Sequence, residues 1–171
     1  MNHNTNQKIN QATESTLLIG VDIAKDTHYA CPVDFRGRVL KKAFAIKQSR
    51  VGFDQFIRTV HKLQIQFDKT DVLVGFEPTG HYWLNLAEEL MNHDIPFVLV
   101  NPMHVNRTKE LDDNLQTKND QKDARVIAKL MRDGVFSFPR YLEGVEAELR
   151  SAATLRTKLV ENLTAIKNRM I

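Results

Sequence analysis

The sequence predicts an α/β domain on a mixed sheet, a three-strand meander followed by alternating helices and strands, with a long helix projecting from its C-terminal end. Three observations predict it. Leu17–Val21 and Val72–Phe76 are apolar runs too short for helices, and each stops on an acid, Asp22 and Glu77. Thr27–Val33 and Arg38–Ile46 are β-prone and flank Asp34-Phe35-Arg36-Gly37, whose Asp and Gly suit a hairpin turn. The intervening segments carry apolar residues at helical spacing.

In chain order, residues 1–15 are polar, rich in Asn, Gln and Thr, and are expected to form a disordered tail. The folded domain is expected over 16–135. Ser49 is placed to cap a helix whose stripe is Phe53, Phe56, Ile57, Val60 and Leu63. After Glu77, Pro78-Thr79-Gly80 breaks the strand, and a helix follows with Trp83, Leu86, Ala87 and Leu90 on one face. A strand is expected at Pro96–Asn101. Pro102–Lys118 shows no sustained period and reads as a long loop. A helix from Asn119 to about Arg132 ends at Gly134. Residues 143–171 read as one long helix, the start of a coiled-coil segment, with Leu149, Ala152, Leu155, Leu159, Leu163, Ile166 and Met170 three or four residues apart. Its stripe is too long for a small domain to cover, which predicts self-association into a dimer or larger assembly.

Composition narrows the function classes. With 42% hydrophobic residues in 171, one core can be buried. Cys31 is the single cysteine and cannot form an internal disulfide. No stretch suits a signal peptide or a membrane helix, so a cytoplasmic protein without membrane contact is expected. The net charge of +3 lies in residues 101–171, with 13 basic and 10 acidic side chains, a mild bias toward a polyanionic partner.

The acids carry the chemistry. The carboxyl ends of neighbouring strands in an α/β sheet are where sites are built, so Asp22 and Glu77 are expected to face each other. On the helix after Asn119, Val126, Ile127, Leu130 and Met131 form the packing face, and Asp123 and Asp120 continue the same stripe toward its N-terminus. Helix capping explains one of these acids. It leaves the other turned inward, where an unpaired charge is costly. A hard divalent cation removes that cost, and a pair of Mg²⁺ ions roughly 4 Å apart can drive phosphoryl transfer. The histidines are scattered and give no zinc spacing, though His81 lies near Glu77 in the chain.

Three blocks, Ile19-Gly20-Val21-Asp22-Ile23-Ala24-Lys25, Glu77-Pro78-Thr79-Gly80 and Asp120-Gln121-Lys122-Asp123-Ala124-Arg125, resemble in order the signatures of the DEDD transposases of bacterial insertion sequences, the group that includes the Piv/MooV invertases. The resemblance covers about residues 16–171. It implies a RuvC-like ribonuclease-H fold and a DNA recombinase with Asp22, Glu77, Asp120 and Asp123 as catalytic ligands of Mg²⁺, for which Mn²⁺ can substitute. It further implies a structured guide RNA pairing with donor and target DNA, and a second domain with a serine nucleophile that this chain is expected to lack.

Arg107, Lys109, Lys118, Lys122 and Arg125 are the candidate nucleic-acid contacts, around a segment expected to be mobile without nucleic acid. Three rival classes compete. An actin or sugar-kinase type nucleotide site needs glycine-rich turns, and Ile23-Ala24-Lys25-Asp26 has none. A proofreading exonuclease would carry Asp-x-Glu where Ala24 stands. A nucleic-acid-binding module with a dead site shares the basic balance and would not bind Mg²⁺.

Overall fold

Residues 5–78, 80–112, 120–139 and 145–169 are described by the computed structural model. After a short helix, α1 (Thr5–Ile9), the apolar runs become strands because their side chains are buried on both faces. Strands β1 (Thr16–Asp22), β2 (Thr27–Val33) and β3 (Phe44–Lys47) form an antiparallel meander. Helix α2 (Arg50–Gln66) leads to β4 (Asp71–Phe76), then α3 (Trp83–Asn92) to β5 (Phe97–Leu99). Both later strands lie parallel to β1, and the order across the sheet is β3-β2-β1-β4-β5. Helices α4 (Pro102–Asp112) and α5 (Asp120–Arg132) complete the α/β domain.

The sheet divides the core into two layers. One contains Leu17, Ile19 and Val21 of β1, Val74 and Phe76 of β4, and the stripes of α2 and α3. The other contains Leu18, Leu73, Val105 of α4, and Ala124, Ile127, Ala128 and Met131 of α5. Strand alternation assigns the faces: odd-numbered residues of β1 meet α2 and α3, even-numbered ones meet α5. Gly20 is the close-approach point. A Cβ there would stand 2.1 Å from the Ala124 carbonyl oxygen and 2.4 Å from the Ala128 nitrogen, so α5 lies directly on the strand backbone.

Local signals account for the boundaries. Ser49 accepts from the Gly52 N–H at 3.2 Å and caps α2, whose predicted stripe is buried throughout. Asp34 accepts from the Arg36 and Arg38 N–H groups at 2.9 and 2.8 Å, and Gly37 takes the positive φ of 82° that closes the turn. Gly134 stops α5, its N–H bonding the Met131 carbonyl at 3.0 Å.

Four expectations are corrected. Residues 5–15 of the expected tail are folded: α1 and the turn after it are tied down by Lys8 Nζ on the Phe136 carbonyl at 2.6 Å and by Thr16 Oγ1 on the Gln11 carbonyl at 2.9 Å. The strand expected at 38–46 is confined to Phe44–Lys47, with an isolated bridge at Val39 before it, because the pairing with β2 ends at Ala30–Phe44. The strand expected at 96–101 is β5, three residues long. The loop expected at 102–118 is helical over Pro102–Asp112; residues 113–118 lie outside the described set.

Helix α6 (Val145–Arg169) is a separate unit and matches the long helix expected from residue 143. Along it Leu149, Leu155, Leu159, Leu163 and Ile166 are all more than half exposed.

Candidate metal and nucleic-acid site

The register of β1 with β4 positions the first two acids. Gly20 pairs with Gly75 and Val21 with Phe76, so Asp22 and Glu77 stand at the next step of the ladder, on strands about 4.8 Å apart. Both follow a glycine by two residues and share its face, the one that carries α5. Asp22 also pairs across β2 with Tyr29, which packs against the same layer. Both carboxylates are half-buried.

Asp123 lies next to Ala124 on α5, with 17% of its side chain exposed. Its carboxylate is engaged by Lys109 Nζ of α4 at 2.7 Å. Asp120 is the first residue of α5, and its side chain lies outside the described set, as does Lys118. The donor set is all carboxylate oxygen, which suits Mg²⁺. Among the described residues no three of Asp, Glu, His and Cys converge closely enough to hold a metal ion. The structure thus sets Asp22 and Glu77 directly after a pair of neighbouring strand residues and gives Asp123 a lysine as its counter-charge. His81, a neighbour of Glu77 in sequence, is exposed and packs its ring on Tyr82 at 4.4 Å.

Helices α4 and α5 pack together and carry four of the five candidate basic residues. Arg107, Lys122 and Arg125 are exposed, while Lys109 is 33% exposed against Asp123. Arg125 also lies near Cys31, whose thiol is pushed up by burial and drawn partly back by that guanidinium. Among the described residues no helix is long and apolar enough to cross a membrane.

Behind the acids, on the α2 face, lies a polar group that the sequence did not reveal. His28 is fully buried and stacks on Phe53 with ring centroids 6.1 Å apart. Its Nδ1 accepts from the Ala24 N–H at 3.1 Å, so Nε2 bears the proton and donates to Gln48 Oε1 at 2.5 Å. Gln48 Nε2 donates to the Tyr82 carbonyl at 3.0 Å, and its backbone N–H bonds the Asp26 carbonyl at 3.0 Å. Burial lowers the His28 pKa below the ordinary 6.5 against the opposing pull of these hydrogen bonds.

A family model described as "Transposase", of the DEDD IS110 type, matches residues 19–171. The transposase for insertion sequence element IS1111A of Coxiella burnetii is 26% identical over 162 residues, covering 95% of this chain and 40% of that protein. The pilin gene-inverting proteins of Moraxella bovis and Moraxella lacunata are each 28% identical over 116 residues, 67% of this chain and 34% of theirs. The chain spans less than half the length of these relatives. Thermus thermophilus RuvC, alone and in complex with a Holliday junction substrate, is 16% identical; 72% of this chain aligns with 99% of each, at TM-scores of 0.47 and 0.46.

Proposed function

Because the chain belongs to the DEDD transposase family, we propose that residues 16–135 are the phosphodiester-cutting domain of a DNA recombinase, with Asp22, Glu77, Asp120 and Asp123 holding Mg²⁺. The observation that carries this reading is the β1–β4 register, which sets Asp22 and Glu77 at adjacent strand ends on the face crossed by the Asp123 helix. A divalent cation bound there supplies charge neutralisation at the phosphate and activation of the attacking oxygen. The chain's own side chains do the rest. Asp22 and Glu77, which directly follow the last β1–β4 pair, are half-buried, and Asp123 joins them by leaving Lys109. Lys109, once released, becomes a cation beside Arg107, Lys122 and Arg125, and the four would meet phosphates of the bound strand.

The structured guide RNA follows from the family resemblance, and the same basic residues on α4 and α5 suit RNA and DNA backbones alike. A serine-bearing domain likewise follows from the family resemblance. The reading of α6 as the start of a coiled coil draws on its exposed apolar stripe. A second reading, a nucleic-acid-binding module without a metal, draws on the Lys109–Asp123 pair, which already satisfies that carboxylate.

DNA binding by the chain as a function of salt tests the proposal. Replacing Arg107, Lys122 and Arg125 together by alanine should weaken binding and lower the salt slope by about one for each phosphate no longer neutralised. A triple variant with the wild-type slope would remove α4 and α5 from the interface. Binding that Mg²⁺ leaves unchanged in wild type and in Glu77→Gln alike would favour the metal-free module.

A further inference from the structure

The hydrogen-bond chain behind the acids runs between the two segments that carry them. Ala24 is two residues beyond Asp22, and Tyr82 is five beyond Glu77. Between them stand His28 and Gln48, in a directional sequence: Ala24 N–H to His28 Nδ1, His28 Nε2–H to Gln48 Oε1, Gln48 Nε2–H to the Tyr82 carbonyl. The backbone N–H of Gln48 holds the Asp26 carbonyl as well, so the Asp22 segment is gripped twice. Gln48 is itself fixed, between Lys47 at the end of β3 and Ser49, the cap of α2.

We propose that Gln48, oriented by His28, is a positioning residue that locks the segment after Asp22 to the segment after Glu77 and so sets how the two carboxylates are presented to a divalent cation.

Sheet pairing alone does not provide this lock. The β1–β4 ladder ends at Val21–Phe76, one residue short of the acids, and from there the two chains lead to different elements, β2 and α3. A glutamine meets the requirement through its chemistry, because one amide supplies an acceptor for an imidazole N–H and a donor for a carbonyl. A fully buried imidazole in a single tautomer, stacked on Phe53, leaves the amide one good orientation. Groups hydrogen-bonded to a metal's ligands commonly govern metal affinity; Gln48 would act one step further out, through the backbone on either side of the bridge.

The role in metal presentation rests on the four-carboxylate reading; the lock itself does not. Gln48→Glu separates the halves of the bridge: it keeps an acceptor for His28 and removes the donor to Tyr82. Its added negative charge would by itself favour a cation, so a loss of affinity cannot be a Coulomb effect. Amide hydrogen exchange and Mn²⁺ calorimetry on the 171-residue chain are the two measurements, with Leu63→Ala, at the far end of α2, as a matched destabilised control. In Gln48→Glu, exchange over residues 82–86 should accelerate while the Ala24 amide stays protected, and Mn²⁺ affinity should fall about tenfold or more. In His28→Leu, exchange should rise at Ala24 and also over residues 82–86, to which His28 is linked through Gln48. Unchanged exchange over 82–86 in both variants would overturn the lock, as would equal changes in Leu63→Ala. Should the wild-type chain bind no Mn²⁺, the metal reading would fail alone, and the exchange data would still decide the bridge.

Discussion

At Gly20 and Gly75, neighbours across β1 and β4, the absence of a side chain has different causes. A Cβ on Gly20 would strike backbone atoms of α5, whereas one on Gly75 would meet the Met131 side chain, with Sδ at 2.3 Å. A methionine can rotate away; a helix backbone cannot. Gly20→Ala should therefore cost about 1–3 kcal/mol or more, and clearly exceed Gly75→Ala, in urea denaturation. Equal costs would mean that α5 is not seated on the strand. His28 provides a pH prediction. Its folded pKa is lowered by burial, so the native state holds the proton less readily than the unfolded chain. Its contribution is complete above the ordinary 6.5 and is lost as pH falls through that value toward the lowered one. Chemical denaturation from about pH 8 to about pH 5 should show that decline, and His28→Leu should flatten it. At this scale the acids at strand ends are legible in the sequence, because a charge closing an apolar run has few structural uses. Gln48 is not, since a polar residue between a strand and a helix cap carries no periodic signal.

Among elements, those that bury a full stripe are legible with nearly their observed limits, as α2 shows: its period of apolar residues is the imprint of the core it packs against. Helix α4 reads as a loop in the sequence because Val105 is its one buried residue among those described, leaving little apolar period. Its signal lies in Asn101-Pro102. Asn101 Oδ1 accepts from the Met103 N–H at 2.9 Å, and proline sits at the first helical position, where its missing N–H costs nothing. With so little burial to hold it, α4 should depend on this cap. Asn101→Ala should cost about 1 kcal/mol and raise amide exchange across 103–112. Exchange as slow as in wild type would place the stability of α4 elsewhere, in its packing on α5. Strand β3 reads longer than it is for the opposite reason, since β-prone residues extend past the point where β2 offers a partner.

For the molecule as a whole, the succession of a three-strand meander and alternating helices and strands is legible because each apolar run marks one strand and each helical stripe one crossover, whereas the order across the sheet, β3-β2-β1-β4-β5, comes from the structure. The folded 5–15 segment is not legible, because its anchors are single hydrogen bonds, such as Lys8 to Phe136, between residues distant in sequence. The apolar stripe of α6 should make the chain self-associate: light scattering should show a mass above the monomer that rises with concentration and disappears when residues 143–171 are removed. A strict monomer, with or without that segment, would end the coiled-coil reading. Whether the carboxylates form one cation site is tested most directly by the Mg²⁺-dependent rise in unfolding temperature. Wild type should unfold higher in Mg²⁺ than in EDTA, by linkage to binding. Asp22→Asn, Glu77→Gln and Asp123→Asn should each lose most of that rise, while in EDTA Asp123→Asn should lose no more than the roughly 0–1 kcal/mol of a partly exposed ion pair with Lys109. A wild-type chain indifferent to Mg²⁺, or variants that keep its full rise, would contradict a single four-carboxylate site.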